Sequence, residues 1–173
     1  MTEMLVPAIA ELPNGVLRTA LPTPFPVGDV NCYLVLGSPV AVIDPGMILQ
    51  ASTVRIEAFL AEAGLRVGDV GSVVVTHGHP DHFGAAGWLA GAADAPILCG
   101  RAELSKLSGD FGRLRGTSLA TTLGIPDELT AGFGRFYEVV KDLTSPIDPG
   151  RLRPVDDGDR LELLTQPLTV GSD

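Results

Sequence analysis

All three histidines of this 173-residue chain lie in one short segment, Thr76-His77-Gly78-His79-Pro80-Asp81-His82. Histidines kept for packing would scatter, whereas these collect around an aspartate. Imidazole nitrogen and carboxylate oxygen are donors that zinc accepts at ~2.0–2.2 Å, so the chemistry on offer is metal binding. On extended backbone, residues two apart project to the same side, which lets His77 and His79 grip one ion together. Asp81 and His82 leave the loop in another direction, toward a second ion. Gly78 allows the backbone to crowd the site, and Pro80 stiffens the bend. The competing reading is a surface turn that happens to hold three histidines. No Gly-x-Ser-x-Gly nucleophile motif occurs anywhere.

The loop needs a strand before it and a helix after it, and the hydrophobic pattern supplies both. Val70 to Thr76 is a continuous apolar run, as expected of a buried strand. Residues 83–91 pack small side chains around Trp88 and predict a helix. Upstream, residues 15–20 predict a short strand after a loose leader. Residues 31–36 and 40–43 predict a hairpin across Gly37-Ser38-Pro39. Residues 51–63 predict a helix with Val54, Ile56, Phe59, Leu60 and Ala63 on its apolar face, Ser52 or Thr53 capping its start and Gly64 ending it. Residues 96–99 form a further strand. Beyond them, 101–145 turn helical and irregular, the clearest helix being 127–143. There Leu129, Phe133, Phe136, Tyr137 and Val140 are assigned to packing rather than to a pocket. Residues 161–164 and 168–170 predict a last hairpin. The order of elements is that of a layered α/β fold.

His-x-His-x-Asp-His after a buried strand resembles the signature of the metallo-β-lactamase superfamily, which includes glyoxalase II-type thioesterases, lactonases and β-lactamases. Val42-Ile43-Asp44-Pro45-Gly46, Asn31-Cys32-Tyr33-Leu34-Val35 and Gly158-Asp159-Arg160-Leu161 resemble other segments of that family. Taken alone, Asp44-Pro45-Gly46 is equally a plain turn. The resemblance implies the N-terminal part of an αββα sandwich, with one domain over 1–173. Its αβ core would be 15–100, a helical cap-like insertion 101–145, and the start of the second half 146–173. His77 and His79 would bind a first zinc, and Asp81 and His82 a second; iron or manganese also occur in such sites. Asp44 would hold the loop by hydrogen bonds from behind, and Asp81 would serve catalysis by orienting the nucleophile. The implied activity is attack of a zinc-held hydroxide on a thioester, ester or lactone carbonyl, with a small acyl compound as substrate. The Asn-Cys-Tyr and Asp-Pro-Gly segments favour the glyoxalase II-like branch.

The family pattern draws further ligands from a Pro-Gly-His-type loop, a bridging aspartate and a final histidine, yet no histidine follows His82. The expectation is therefore a C-terminally truncated member whose second half is incomplete and which alone is weakly active or inactive. A non-catalytic metal-binding or interaction domain is the alternative reading.

Composition narrows the partners. The formal net charge is −9 with no basic cluster, which disfavours nucleic acid and anionic membrane surfaces. No stretch approaches the ~18 apolar residues of a membrane span, and residues 1–10 lack the pattern of a secretory signal. The expected location is the cytoplasm. Cys32 and Cys99, beside apolar strands and without CxxC spacing, are expected to be small buried hydrophobes.

Overall fold

The structure is a computed structural model describing residues 9–26, 28–109, 141–161 and the backbone of 168–169. Seven strands form one sheet in which spatial order follows chain order. They are β1 (Ala10–Leu12), β2 (Val16–Leu21), β3 (Val30–Val35), β4 (Val40–Ile43), β5 (Val70–Val75), β6 (Ile97–Gly100) and β7 (Leu152–Val155). From β1 to β4 neighbours are antiparallel; from β4 to β7 they are parallel. The predicted hairpin is β3–β4, with Tyr33 opposite Ile43 and Val35 opposite Ala41.

The switch to parallel pairing follows from the connections, because parallel neighbours need a crossover element between them. Helix α1 (Gln50–Glu62) joins β4 to β5. Two short helices, α2 (Pro80–Phe83) and α3 (Ala86–Ala93), join β5 to β6. These helices cover one face of the sheet. Leu34, Val42, Val73, Val75 and Ile97 from the strands meet Ile56, Phe59, Leu60, Leu89 and Ala90 from the helices, all but fully buried. Burying each larger side chain contributes roughly 1.5–3 kcal/mol, which suffices to orient α1 and α3 on the sheet. On the opposite face Val35 and Ala41 form a second, smaller cluster with Val16, Ile43, Val74 and Leu161.

Three details depart from the sequence expectations. Val54 is 54% exposed, since the buried stripe of α1 runs through Ser52, Arg55, Ile56, Phe59 and Leu60, and Val54 lies across the helix from Ile56. Neither Ser52 nor Thr53 caps α1: the cap position is Leu49, Thr53 Oγ1 donates back to the Gln50 carbonyl, and Ser52 is buried. The helix after the loop is two helices broken at Gly84-Ala85. In an unbroken helix the Trp88 N–H would donate to the Gly84 carbonyl. Instead Ser145 stands between them: its Oγ donates to Gly84 O (2.8 Å) and accepts from Trp88 N (2.9 Å). A side chain inserted in the ladder is a recognised cause of a helix break.

Gly64, at φ +74°, ends α1 as expected. Two strands have no counterpart among the expectations, edge strand β7, which carries Pro154, and β1. Part of the last hairpin is present, as β8 (Arg160–Leu161) paired with β9 (Leu168–Thr169). After β6 the described part of the cap-like stretch begins with a 3-10 turn, Arg101–Glu103, and helix α4 (Leu104–Leu107). The predicted helix 127–143, with Leu129, Phe133, Phe136, Tyr137 and Val140, falls mainly outside the described residues. Both cysteines are free and buried. Burial pushes the Cys99 thiol up to about 11 and the Cys32 thiol higher still, so both stay protonated packing groups.

Candidate metal centre

Three adjacent parallel strands deliver the site at their carboxyl ends, where open α/β sheets characteristically place ligands. Asp44 follows β4, the histidine loop follows β5, and Glu103 follows β6. Asp44 adopts a left-handed conformation, φ +51°, and is 4% exposed. Such a conformation costs a non-glycine residue about 1 kcal/mol or more and persists only where neighbours enforce it. Here they do: Asp44 N–H donates to the Val74 carbonyl (2.9 Å), and the carboxylate accepts three hydrogen bonds. Thr76 N–H reaches Oδ1 (2.9 Å), while Thr76 Oγ1 (2.6 Å) and His82 Nδ1 (2.9 Å) share Oδ2.

The third of these bonds fixes a tautomer. A carboxylate only accepts, so His82 must carry its proton on Nδ1 and turn Nε2 outward as a lone-pair donor. His77 and His79 meet beside it, with His77 Nε2 3.1 Å from His79 Nδ1. The ring centroid of His77 lies 4.6 Å from that of His79 and 4.2 Å from that of His82. Asp81 Oδ2 stands 3.8 Å from His82 Nε2. All four residues singled out from the loop are thus gathered in one place, together with the aspartate expected behind them. Donor atoms of Asp44, His77 and His82 lie within 4.8 Å of one another, so metal-ligating side chains and the carboxylate behind them form one tight group. Bonds of ~2.0–2.1 Å in tetrahedral array set ligand atoms about 3.3 Å apart, and the His77–His79 pair already stands near that spacing. The donor set fits a metal.

Burial lowers the His77 pKa, and neighbouring His82 and His79 lower it further. The shift favours the neutral ring, the state a ligand requires.

Two residues at the site carry no signal in the sequence. Glu103 Oε2 accepts from the Gly78 N–H at 2.6 Å and from Lys106 Nζ at 2.7 Å. Burial opposes ionisation of Glu103, but these two hydrogen bonds and the charges of Lys106 and His77 hold its carboxyl below the ordinary value. Gly78 is buried against this pair, and a methyl group there would lie 2.6 Å from Lys106 Cδ and 2.7 Å from Glu103 Oε2. The glycine of the loop thus lets Glu103 and Lys106 approach the backbone closely.

Residues 25–172 match the model of the metallo-β-lactamase superfamily. The chain belongs to that superfamily. A 71-residue stretch, 41% of this chain and 22% of the relative, is 39% identical to a probable metallo-hydrolase, YqjP, of Bacillus subtilis (strain 168). The fold matches a metallo-β-lactamase family protein of Thermus thermophilus with a TM-score of 0.73 and 29% identity, over 94% of this chain and 52% of that one. BJP-1, a subclass B3 metallo-β-lactamase of Bradyrhizobium japonicum, matches with a TM-score of 0.63 and 21% identity, over 99% of this chain and 54% of that one, a likeness of fold alone. The chain spans about half the length of these solved relatives. Among the described residues of this superfamily member, no helix is long and apolar enough to cross a membrane.

Proposed function

We propose that this chain carries the metal-binding half of a hydrolase that cleaves the acyl carbonyl of a thioester or of an ester or lactone. The observation that supports it most is the meeting of three imidazoles beside a buried carboxylate that dictates the tautomer of one of them. In this reading His77 and His79 hold one zinc ion, and Asp81 and His82 hold a second. Asp44 stays behind them: both its oxygens are engaged by Thr76 and His82, so it orients a ligand rather than serving as one. Iron and manganese accept the same donors.

When bound, the metal supplies a water acidified to a pKa of about 7 and a Lewis acid for the carbonyl oxygen. Asp81 would orient the nucleophile as well as bind metal. The preference for a thioester rests on the resemblance of Asn31-Cys32-Tyr33 and Asp44-Pro45-Gly46 to the glyoxalase II-like branch.

The test is metal content per chain, with hydrolysis of a panel of thioesters, esters and lactones, in wild type and His79→Ala. Bound zinc that falls in the variant is the expected result, with any zinc-dependent turnover by this chain alone weak and lost together with the metal. A chain that retains no metal overturns the proposal. Metal binding without turnover of any panel member leaves instead a non-catalytic metal-binding domain.

A further inference from the structure

Building on the metal-site reading above, we infer that Glu103 is a positioning residue whose carboxylate holds the Gly78 amide and so sets the spacing of His77 and His79 before any metal arrives. Gly78 is the one residue between the two imidazoles. Its N–H belongs to the peptide that leads out of His77, so fixing it fixes the direction in which the chain enters His79. The hydrogen bond is charge-assisted and short, 2.6 Å. Oε2 also receives Lys106 Nζ at 2.7 Å, which ties the carboxylate to α4. Because Glu103 lies just past the end of β6, the loop is held from the strand next to its own, opposite the hold that Asp44 exerts from β4. The two clamps differ in what they grip. Asp44 takes the Thr76 N–H and the His82 ring, whereas Glu103 takes the turn between the other two histidines.

The absence of Cβ at residue 78 belongs to the same device. A methyl group there would meet Lys106 Cδ, Lys106 Cβ and Glu103 Oε2, all under 3.0 Å, so the clamp and a side chain exclude each other. Without the clamp the Gly78 peptide is free to rotate, and the metal must order the loop when it binds. That ordering appears as lost affinity.

Two conservative substitutions separate reach from charge. Glu103→Gln removes the charge and keeps an acceptor oxygen at the same distance. Glu103→Asp keeps the charge and withdraws it by about one carbon–carbon bond, ~1.5 Å, out of hydrogen-bonding range. The probe is cobalt(II), whose visible absorption reports coordination directly, titrated into the full chain against a competing chelator. Amide exchange of Gly78 in the metal-free protein is measured alongside. Wild type and Glu103→Gln should bind cobalt within a few-fold of each other with the same spectrum. Glu103→Asp should bind ~10–100-fold more weakly, the usual effect of losing a group that supports ligands, with faster exchange at Gly78. Equal affinity and spectra for wild type and Glu103→Asp would overturn the inference while leaving the metal site standing. Weakening in Glu103→Gln alone would also overturn it, by showing that charge and not reach matters. A wild-type chain that binds no cobalt removes the hydrolase reading and this inference with it.

Discussion

Replacing Asp44 with Asn tests how the site is held, because the change is nearly isosteric and its consequences follow from hydrogen-bond polarity. Asn tolerates the left-handed backbone at this position, φ +51°, so the fold is not penalised by the conformation. The Thr76 N–H decides which way the new amide faces. It can only donate, so the side-chain oxygen must remain where Oδ1 now accepts it at 2.9 Å. The NH2 group then replaces Oδ2, facing Thr76 Oγ1 and His82 Nδ1. The hydroxyl can turn to accept. His82 can satisfy the new donor only by moving its proton from Nδ1 to Nε2, which removes the lone pair that faces the metal site. Metal affinity should fall ~10–100-fold, equivalent to about 1.4–2.7 kcal/mol. Metal-free stability should fall by about 1–3 kcal/mol, since charge-assisted bonds become neutral ones in a buried setting. Chelator competition measures the first effect, denaturant unfolding the second, and nitrogen NMR of the His82 ring reads the tautomer. Wild-type affinity in Asp44→Asn, with the proton still on Nδ1, would refute the reasoning.

Other perturbations have equally definite outcomes. His77 titrates below its ordinary value in the folded chain, mainly through burial and then through the charges of His82 and His79. The unfolded chain therefore binds its proton first, so metal-free stability should be full above pH 6.5, the ordinary value, and decline as pH falls through the depressed folded value. The slope from this one group is at most ~1.4 kcal/mol per pH unit, and His77→Gln should remove that component from a pH series of unfolding midpoints. Gly87→Ala should destabilise by about 1–3 kcal/mol in denaturant melts. The added methyl runs into the backbone carbonyl of Pro146, a clash that outweighs the ~1 kcal/mol by which Ala is the better helix former. Ser52→Ala should stabilise by about 1 kcal/mol, because Ser52 Oγ is buried without a hydrogen-bond partner among the described residues and its removal ends that penalty. A melt showing loss of stability in Ser52→Ala would mean that the hydroxyl is satisfied.

The elements with one clear period are legible in the sequence. The apolar run 70–75, the hairpin over 31–43 and the stripe through Ile56, Phe59 and Leu60 each follow from spacing alone. So does the candidate metal loop, since three histidines around an aspartate have little structural use. Local pattern fails where a distant residue overrides it. Nothing near Gly84 says that Ser145 will enter the helix ladder, because the partner is 61 positions away. Strand β7 escapes a reading by pattern because Leu152-Arg153-Pro154-Val155 lacks both alternation and a continuous apolar run, and its proline fits a strand that is outermost among the described residues. Glu103 and Lys106 read as ordinary surface charges three apart. Their role depends on β6 lying beside β5, which is a fact of topology and not of local pattern. Asp44 becomes more than a turn residue only in the company of the histidine loop.

The sheet's strand order also governs how the polypeptide can fold while it is being made. Across all seven strands, the neighbour in space is the neighbour in sequence. No strand has to be threaded between two already paired, and the longest wait is that of β6 for β7, from Gly100 to Leu152. Such a sheet can lengthen one strand at a time as the chain leaves the ribosome, at ~5–20 residues per second. Asp44, the histidine loop, Glu103 and Lys106 all lie between residues 44 and 106, so both clamps on the loop can close before the next segment emerges. Ser145 comes later in the chain, and its insertion between Gly84 and Trp88 completes the break between α2 and α3. The histidine loop and both its clamps therefore depend on no strand later than β6.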